Sequence, residues 1–267
     1  MPDFTLTEQD GIAHLRFNRP EAANALRMPF WTEFPDSVRA IDRAGTARVL
    51  VLSGEGKHFC AGMDVSVFQN PVFQPDGSAA AREAFTHEVR RLQATFGVLA
   101  TARIPVIAAI QGACIGAGLD MASACDLRFA APDTYFRIEE INIGMMADVG
   151  SLQRLPHLLP DAVLRQMAFC GTTLDAARAE ALGFVNAVSE NVVEAAMQAA
   201  RAIADRAPLA VTASKQALNY ARDHSLADAL EHAALLNAAI WHTPDILQAM
   251  AARTAKTAGE FVPLQAV

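Results

Sequence analysis

The amino-acid sequence predicts an α/β core that is followed by a helical C-terminal region. In the first part of the chain, compact apolar runs such as RVLVLS and PVIAAI alternate with segments of helical spacing. Such runs are typical of buried strands, and strands that alternate with helices favour right-handed crossover connections. After about residue 161 the composition becomes alanine-rich and helical. We therefore expect a mixed core first and a group of helices last.

The N-terminal elements follow from alternation and helical spacing. Residues 4–8 and 12–17 alternate apolar and polar side chains around Gln-Asp-Gly, which predicts a β-hairpin. Residues 69–78 contain two prolines and a glycine and are predicted to form a mobile surface loop. The other elements predicted here are helices over residues 24–44 and 79–101 and strands over residues 48–53 and 106–110.

The second half of the chain begins with a glycine-rich turn. A short helix is predicted from about residue 117, and strands are predicted over residues 127–130, 135–138 and 184–188. The chain then predicts four successive helices, over residues 196–206, 208–222, 226–241 and 244–257. Such a helical tail would serve as a lid, as an oligomer interface, or as both.

Composition limits the classes of function. The 267 residues are 52% hydrophobic with a mean hydropathy of +0.18, which suits one large domain or a core with a small appendage. The net charge of -7 and the lack of a Lys/Arg-rich run argue against a nucleic-acid partner. No apolar run reaches membrane-spanning length, so no membrane partner is expected.

The cysteines and the N-terminal sequence favour a cytoplasmic enzyme. The four cysteines are scattered without metal-ligand spacing, so we expect no metal site. No signal or transit peptide pattern is visible. Cys60 lies close to His58, which would suit a nucleophile and its base, but no third residue that would orient them is evident.

Three acids lie in an apolar, glycine-rich stretch between residues 112 and 154. Asp120, Glu140 and Asp148 are flanked by alanine, methionine, isoleucine and glycine. Loss of hydration raises the pKa of a carboxyl group toward the range in which it exchanges protons near neutrality. The alternative is that each acid is a helix cap or an ion-pair partner. Together they predict a proton-transfer site.

Two loops share one design, in which a strand ends in glycine-rich turns that lead toward a helix. The loops are SGEGKHFCAGMD over residues 53–64 and QGACIGAGLD over residues 111–120. The first turn of a helix leaves its N–H groups without partners, and two such groups aimed at one point form an oxyanion hole. We predict that the donors are the backbone N–H groups of Met63 and Ala117. Neither loop fits a dinucleotide fingerprint or a P-loop.

These loops, together with FNRPEAANAL near the N-terminus, resemble the crotonase (enoyl-CoA hydratase/isomerase) superfamily across nearly the whole chain. The resemblance implies a crotonase-like ββα spiral core over residues 1–200 and a C-terminal helical trimerisation or lid region over residues 201–267. It also implies an acyl-CoA thioester substrate whose enolate is held by the two loop amides. No separate cofactor is implied, because coenzyme A is part of the substrate. The implied assembly is a homotrimer or a dimer of trimers.

The same resemblance implies further site residues. The family often has glycine where Ala117 stands, but a backbone donor survives that change. The residues that it places at the coenzyme A entrance are Ala22, Ala23, Ala25, Lys57, Ala61 and Asp64. Lys57 could equally be a solvated surface lysine.

The acids distinguish reactions within the superfamily. Enoyl-CoA hydratases carry two glutamates, which match Glu140 and, one methylene shorter, Asp120. Asp148 is an additional acid, and the ADVG…LQRLP segment around it looks like the delta(3,5)-delta(2,4)-dienoyl-CoA isomerases. We expect Glu140 and Asp148 to shuttle the proton and Asp120 to support them. The alternatives are an enoyl-CoA hydratase and a non-catalytic CoA-ester-binding relative.

Overall fold

Two β-sheets form the framework of the computed structural model, which describes residues 2–74 and 76–267. The larger sheet has the strand order β1-β2-β3-β4-β6-β9. Neighbouring strands in this sheet are parallel, except for β1 and β2, which form an antiparallel hairpin. The smaller sheet has the order β5-β7-β8. The strands are β1 (Phe4–Gln9), β2 (Ile12–Phe17), β3 (Val49–Gly54), β4 (Val106–Ile110), β5 (Ala113–Ile115), β6 (Leu127–Ala130), β7 (Tyr135–Arg137), β8 (Leu174–Asp175) and β9 (Ala187–Val188).

Helices surround these sheets and make up most of the C-terminal third. The α-helices are α1 (Phe30–Ala44), α2 (Ala79–Thr101), α3 (Ala117–Ser123), α4 (Ser151–Arg154), α5 (Asp161–Cys170), α6 (Ala176–Ala181), α7 (Val192–Ala204), α8 (Pro208–Asp223), α9 (Leu226–Ile240) and α10 (Thr243–Ala255). Short 3-10 helices span Pro20–Ala22, Val65–Gln69, Pro71–Phe73, Glu140–Ile143 and Leu155–His157.

Both faces of the larger sheet are covered, because successive side chains of a strand point to opposite faces. Leu50 and Leu52 of β3 belong to the main apolar core with α1 and α2. Val49 and Val51 belong to a second cluster, which α7 covers with small side chains such as Ala196. This double burial explains why β3 and β4 are continuous apolar runs rather than alternating ones.

The predicted α/β core with a helical C-terminal region is confirmed. The helix predicted over residues 79–101 and the strands predicted over 106–110 and 127–130 have the expected bounds. The helix predicted from residue 24 begins only at Phe30, because Asn24 has a left-handed backbone with φ 55°. Three-residue strand β5 lies inside the stretch that was expected to be only a glycine-rich turn.

Other predicted elements differ at their ends. The strand expected over residues 135–138 ends at Arg137, and the one expected over 184–188 contains only Ala187 and Val188. The surface loop expected over residues 69–78 contains the 3-10 helix Pro71–Phe73, and position 75 of that prediction lies outside the described residues.

The C-terminal helices are attached to the core through α8. The buried Lys215 ammonium donates to the Leu99 and Ile104 carbonyls at 2.8 and 3.0 Å and pairs with Asp126 at 2.7 Å. Helices α9 and α10 contain no buried residue. The predicted division between residues 200 and 201 falls within α7 and stays a prediction. None of the helices described is both long and apolar enough to cross a membrane.

Candidate active site

Asp120 lies in the first turn of α3 and is completely buried. Its Oδ1 accepts hydrogen bonds from the backbone N–H and the hydroxyl of Ser151, both at 2.5 Å. Its Oδ2 is buried and has no hydrogen-bond partner among the described residues. Burial raises the pKa of Asp120 to about 6, although the two Ser151 bonds oppose this shift.

Glu140 is the first residue of the 3-10 helix Glu140–Ile143. The chain leaves the extended conformation after Arg137. A Cβ placed on Gly116 would lie 3.2 Å from Glu140 Oε1, which puts this carboxyl group beside the N-terminus of α3. Burial, and then the negative charge of Asp120, raise the pKa of Glu140 to about 7.

Asp148 is half-buried, and its backbone carbonyl accepts a hydrogen bond from the Gln93 side chain at 2.7 Å. Burial raises the pKa of its carboxyl group. The negative charge of Asp148 also raises the pKa of both Asp120 and Glu140. The three acids that were predicted together therefore interact electrostatically and titrate as a coupled group.

The amides of Met63 and Ala117, the predicted oxyanion-hole donors, lie near each other in the structure. In the parallel bridge between Leu26 and Met63, Leu26 N–H donates to Gly62 O and Asp64 N–H donates to Leu26 O, so the Met63 N–H points away from Leu26. Ala117 is the first residue of α3, where an N–H has no partner within the helix. A Cβ on Gly62 would lie 3.4 Å from the Ala117 nitrogen, so the two amides lie close together.

The alanines predicted at the coenzyme A entrance lie around one tight turn. Ala23 has a left-handed backbone with φ 50°, and its carbonyl accepts a hydrogen bond from Ala61 N–H at 2.9 Å. Ala22 ends the 3-10 helix Pro20–Ala22, and Ala25 N–H donates to the Ala22 carbonyl at 3.0 Å. Lys57 is exposed, and no ion pair to another described residue is formed by its ammonium group.

Asp64 has structural partners of its own. Its carboxylate pairs with Arg19 at 3.1 Å and accepts hydrogen bonds from the N–H and hydroxyl of Ser66 at 3.0 and 2.7 Å. The Ser66 bonds in particular lower the pKa of Asp64. The carboxylate is therefore a helix cap, and a contact with substrate at this position would come from the backbone.

Asn24 joins the turn around Ala23 to the loop over residues 53–64, a role that the sequence reasoning missed. Its side-chain amide donates to the carbonyls of Glu55 and His58 at 3.0 and 2.7 Å and accepts from Arg19 N–H at 2.9 Å. The signal was present, because asparagine is one of the few residues that readily adopts a left-handed backbone.

Cys60 is not a nucleophile. It is fully buried, and burial raises the pKa of its thiol to about 12, whereas the thiolate is the reactive form. His58, the base considered for it, accepts a hydrogen bond from Ala113 N–H at 3.0 Å through Nδ1. Both residues therefore stabilise the junction of the two loops.

A separate cavity of about 490 Å³ lies near the end of α3. It is lined by residues that include Ser123, Arg154, His157 and Arg222. None of the three acids lines it. Arg154 connects the two regions, because its positive charge lowers the pKa of Asp120. The acid group and this cavity are therefore distinct features of the structure.

Comparisons with known sequences indicate the family. A sequence model described as "Enoyl-CoA hydratase/isomerase" matches residues 7–261. The chain is 36% identical over 252 residues to the human protein named "Delta(3,5)-Delta(2,4)-dienoyl-CoA isomerase, mitochondrial", covering 92% of this chain and 77% of that protein. It is 30% identical over 259 residues to a Mycobacterium bovis protein named "Probable enoyl-CoA hydratase", covering 96% of each.

A solved structure shows the same fold. The crystal structure of an enoyl-CoA hydratase from Polaromonas sp. JS666 superposes with a TM-score of 0.87 at 26% identity. The superposition covers 97% of this chain and 99% of that one. The predicted crotonase-like fold is therefore confirmed.

Proposed function

The chain belongs to the enoyl-CoA hydratase/isomerase family, and on that premise we propose that it isomerises 3,5-dienoyl-CoA to 2,4-dienoyl-CoA. The observation that carries the proposal is the third acid. Asp148 interacts electrostatically with Asp120 and Glu140, and burial raises the pKa of all three. Hydration of a double bond uses two acids, whereas this group contains three.

The chemistry of the isomerisation suits such a group. The reaction removes a proton from C2 and adds one to C6, and the two double bonds each move by one position. One carboxylate of the Glu140–Asp148 pair accepts the C2 proton while the protonated partner donates to C6. The net composition of the substrate is unchanged, and proton exchange between the pair restores the starting state.

Negative charge develops on the thioester oxygen as the C2 proton leaves. The paired amides of Met63 and Ala117 are the proposed donors to this oxygen, and fixed donors favour the dienolate over the neutral thioester. Since burial and the charge of Asp120 raise the pKa of Glu140 to about 7, both the protonated and the ionised form of this carboxyl group are accessible near neutral pH. A group in that state can both accept and donate a proton.

The surroundings suit an apolar acyl chain. Large apolar side chains are exposed next to the site, on the segments that follow Asp64 and Glu140. They are Val65, Ile141, Ile143 and Met146, with exposed fractions of 80, 42, 56 and 66%. We propose that they contact the acyl chain, while residues around Ala23 and Lys57 hold the coenzyme A part.

A spectrophotometric assay tests the reaction, because the 2,4-diene product is conjugated with the thioester. The wild-type protein should convert 3,5-dienoyl-CoA, and Asp148→Asn should lower kcat by roughly 10²–10⁴-fold with a nearly unchanged KM. Asp161→Asn makes the same chemical change at an exposed carboxylate on α5 and should leave kcat unchanged. Turnover of Asp148→Asn within a few-fold of wild type would contradict the role of Asp148.

The alternative is an enoyl-CoA hydratase in which Asp120 and Glu140 activate water. The 30% identity to a protein named as a hydratase favours it. Hydration of crotonyl-CoA that is faster than dienoyl isomerisation would replace the proposal with this alternative. A protein that binds acyl-CoA but catalyses neither reaction would be a binding relative.

We further propose that copies of this chain cover α9 and α10 in a trimer or a dimer of trimers. Large apolar side chains protrude from these helices and from the end of α8, and a monomer rarely exposes so many together. They include Leu218, Leu226, Leu230, Leu235, Leu247 and Met250, all more than 60% exposed. Sedimentation should show an oligomer that Leu230→Lys weakens, and a monomeric wild-type protein would contradict this proposal.

A further inference from the structure

We infer that Ser151 is a positioning residue that makes Asp120 the member of the acid group that ionises before Glu140. Glu140 and Asp148 are then the two carboxyl groups that exchange protons with the substrate. The part that concerns the substrate rests on the proposed function. The ionisation of Asp120 is a property of the free protein.

The geometry begins with two donors on one oxygen. The backbone N–H and the hydroxyl of Ser151 both donate to Asp120 Oδ1 at 2.5 Å, although the residues are 31 positions apart. Ser151 is itself buried, with 1% of its surface exposed. Water therefore competes little for these bonds, and hydrogen bonds to the charged form of a carboxyl group favour that form.

The turn that presents Ser151 is fixed by its neighbours. Gly150 has φ 145°, a backbone conformation that L side chains rarely adopt. The Arg154 guanidinium lies where a Gly150 side chain would begin, 1.7 Å from the position of a Cβ. The positive charge of Arg154 also favours the carboxylate of Asp120. The turn that presents Ser151 to Asp120 therefore requires glycine at position 150, and Arg154 fills the space beside it.

Glu140 has no comparable donors. Its Oε2 is buried with no hydrogen-bond partner among the described residues, and the charge of Asp120 opposes its ionisation. When two acids are coupled, the one with the stronger donors ionises first and raises the pKa of the other. Ser151 thus decides which carboxyl group retains a proton near neutral pH.

Ser151→Ala tests this inference in the free protein. Titration of aspartates labelled with ¹³C at Cγ, followed by NMR, should show the pKa of Asp120 rising by about one unit when the hydroxyl is removed, the size expected for one hydrogen bond to a charged group. Asp120→Asn identifies the signal. In turnover of 3,5-dienoyl-CoA, the acid limb of the kcat/KM profile should move to higher pH by a similar amount.

Ser123→Ala is the matched control. Ser123 is a buried serine whose hydroxyl also bonds Asp120, but it donates to the backbone carbonyl, at 2.6 Å, and not to the carboxylate. This variant should lose thermal stability with an unshifted Asp120 titration. Ser151→Thr, which restores a hydroxyl, should return the titration toward wild type.

The outcomes separate the inference from the proposed function. An Asp120 titration that is identical in Ser151→Ala and wild type would overturn the role of Ser151, whatever the protein catalyses. A shifted titration in a protein that does not isomerise dienoyl-CoA would support the ionisation of Asp120 while rejecting the proposed reaction.

Discussion

The two segments that carry the acids differ sharply in burial. Every residue from 113 to 123, which includes Asp120, is buried. In the segment from 139 to 150, which includes Glu140 and Asp148, residues 141–144 and Met146 are exposed. The first segment contains β5 and α3, and the second contains the 3-10 helix Glu140–Ile143. We call residues 113–123 the closed segment and residues 139–150 the open segment. Under the proposed function, the closed segment supplies fixed charge and the open segment supplies the groups that exchange protons.

The largest expected difference between the segments concerns added volume. A Cβ on Gly118 would lie 2.6 Å from the Cys60 carbonyl oxygen, whereas a Cβ on Gly144 would contact nothing within 4 Å. Gly118→Ala should therefore lower the free energy of unfolding by about 3 kcal/mol. Gly144→Ala should cost only about 1 kcal/mol, because its φ of 78° is unfavourable for alanine. If urea denaturation showed that both variants lose the same free energy of unfolding, the proposed difference between the two segments would be contradicted.

An effect of similar size but opposite sign is expected for Glu140→Gln. The folded protein raises the pKa of Glu140 from 4.5 to about 7, so the folded state binds more protons than the unfolded state between these values. The contribution of Glu140 to stability therefore falls as pH rises through this window. Glu140→Gln should be more stable than wild type by about 3 kcal/mol at pH 8 and nearly equal to it at pH 4. Urea denaturation at both pH values measures this, and a variant less stable at pH 8 would contradict it.

The smallest effect is expected at the outer surface of the open segment. The Arg137 guanidinium pairs with the Glu139 carboxylate, and both side chains are 29% exposed. Because solvent screens such a pair, Arg137→Gln should cost less than about 1 kcal/mol, and added salt should reduce the difference. A loss as large as that of Gly118→Ala would show that the open segment is held as firmly as the closed one.

Sequence reasoning located the long elements because their patterns are local. The helical spacing of α2 and the strand-like patterns of β4 and β6 are visible in a few consecutive residues of each element. Their predicted bounds are confirmed. Strand β5 was missed because its three residues are extended only through pairing with β7, twenty or so positions along the chain. The start of α1 was misplaced because the left-handed backbone of Asn24 depends on partners in another loop.

The residues of the candidate site also differ in whether a local sequence pattern indicated them. The glycine patterns and the apolar neighbours of the acids indicated Asp120, Glu140, Asp148 and the two amides, and their catalytic roles stay predictions. Ser151 gave no such signal, because a serine at the start of a short helix is ordinary and its contact with Asp120 spans 31 positions. Likewise, nothing local in the sequence indicates that the Asp64 carboxylate is engaged by Arg19.

The distribution of the four cysteines makes the folded protein convenient to label. Cys60, Cys114 and Cys125 are buried, and burial raises the pKa of each thiol, whereas Cys170 at the end of α5 is exposed. Since alkylating reagents attack the thiolate, a maleimide dye added to the native state should attach at this one position. A single fluorophore could thus be introduced without removing any native cysteine, on a helix that carries none of the three acids.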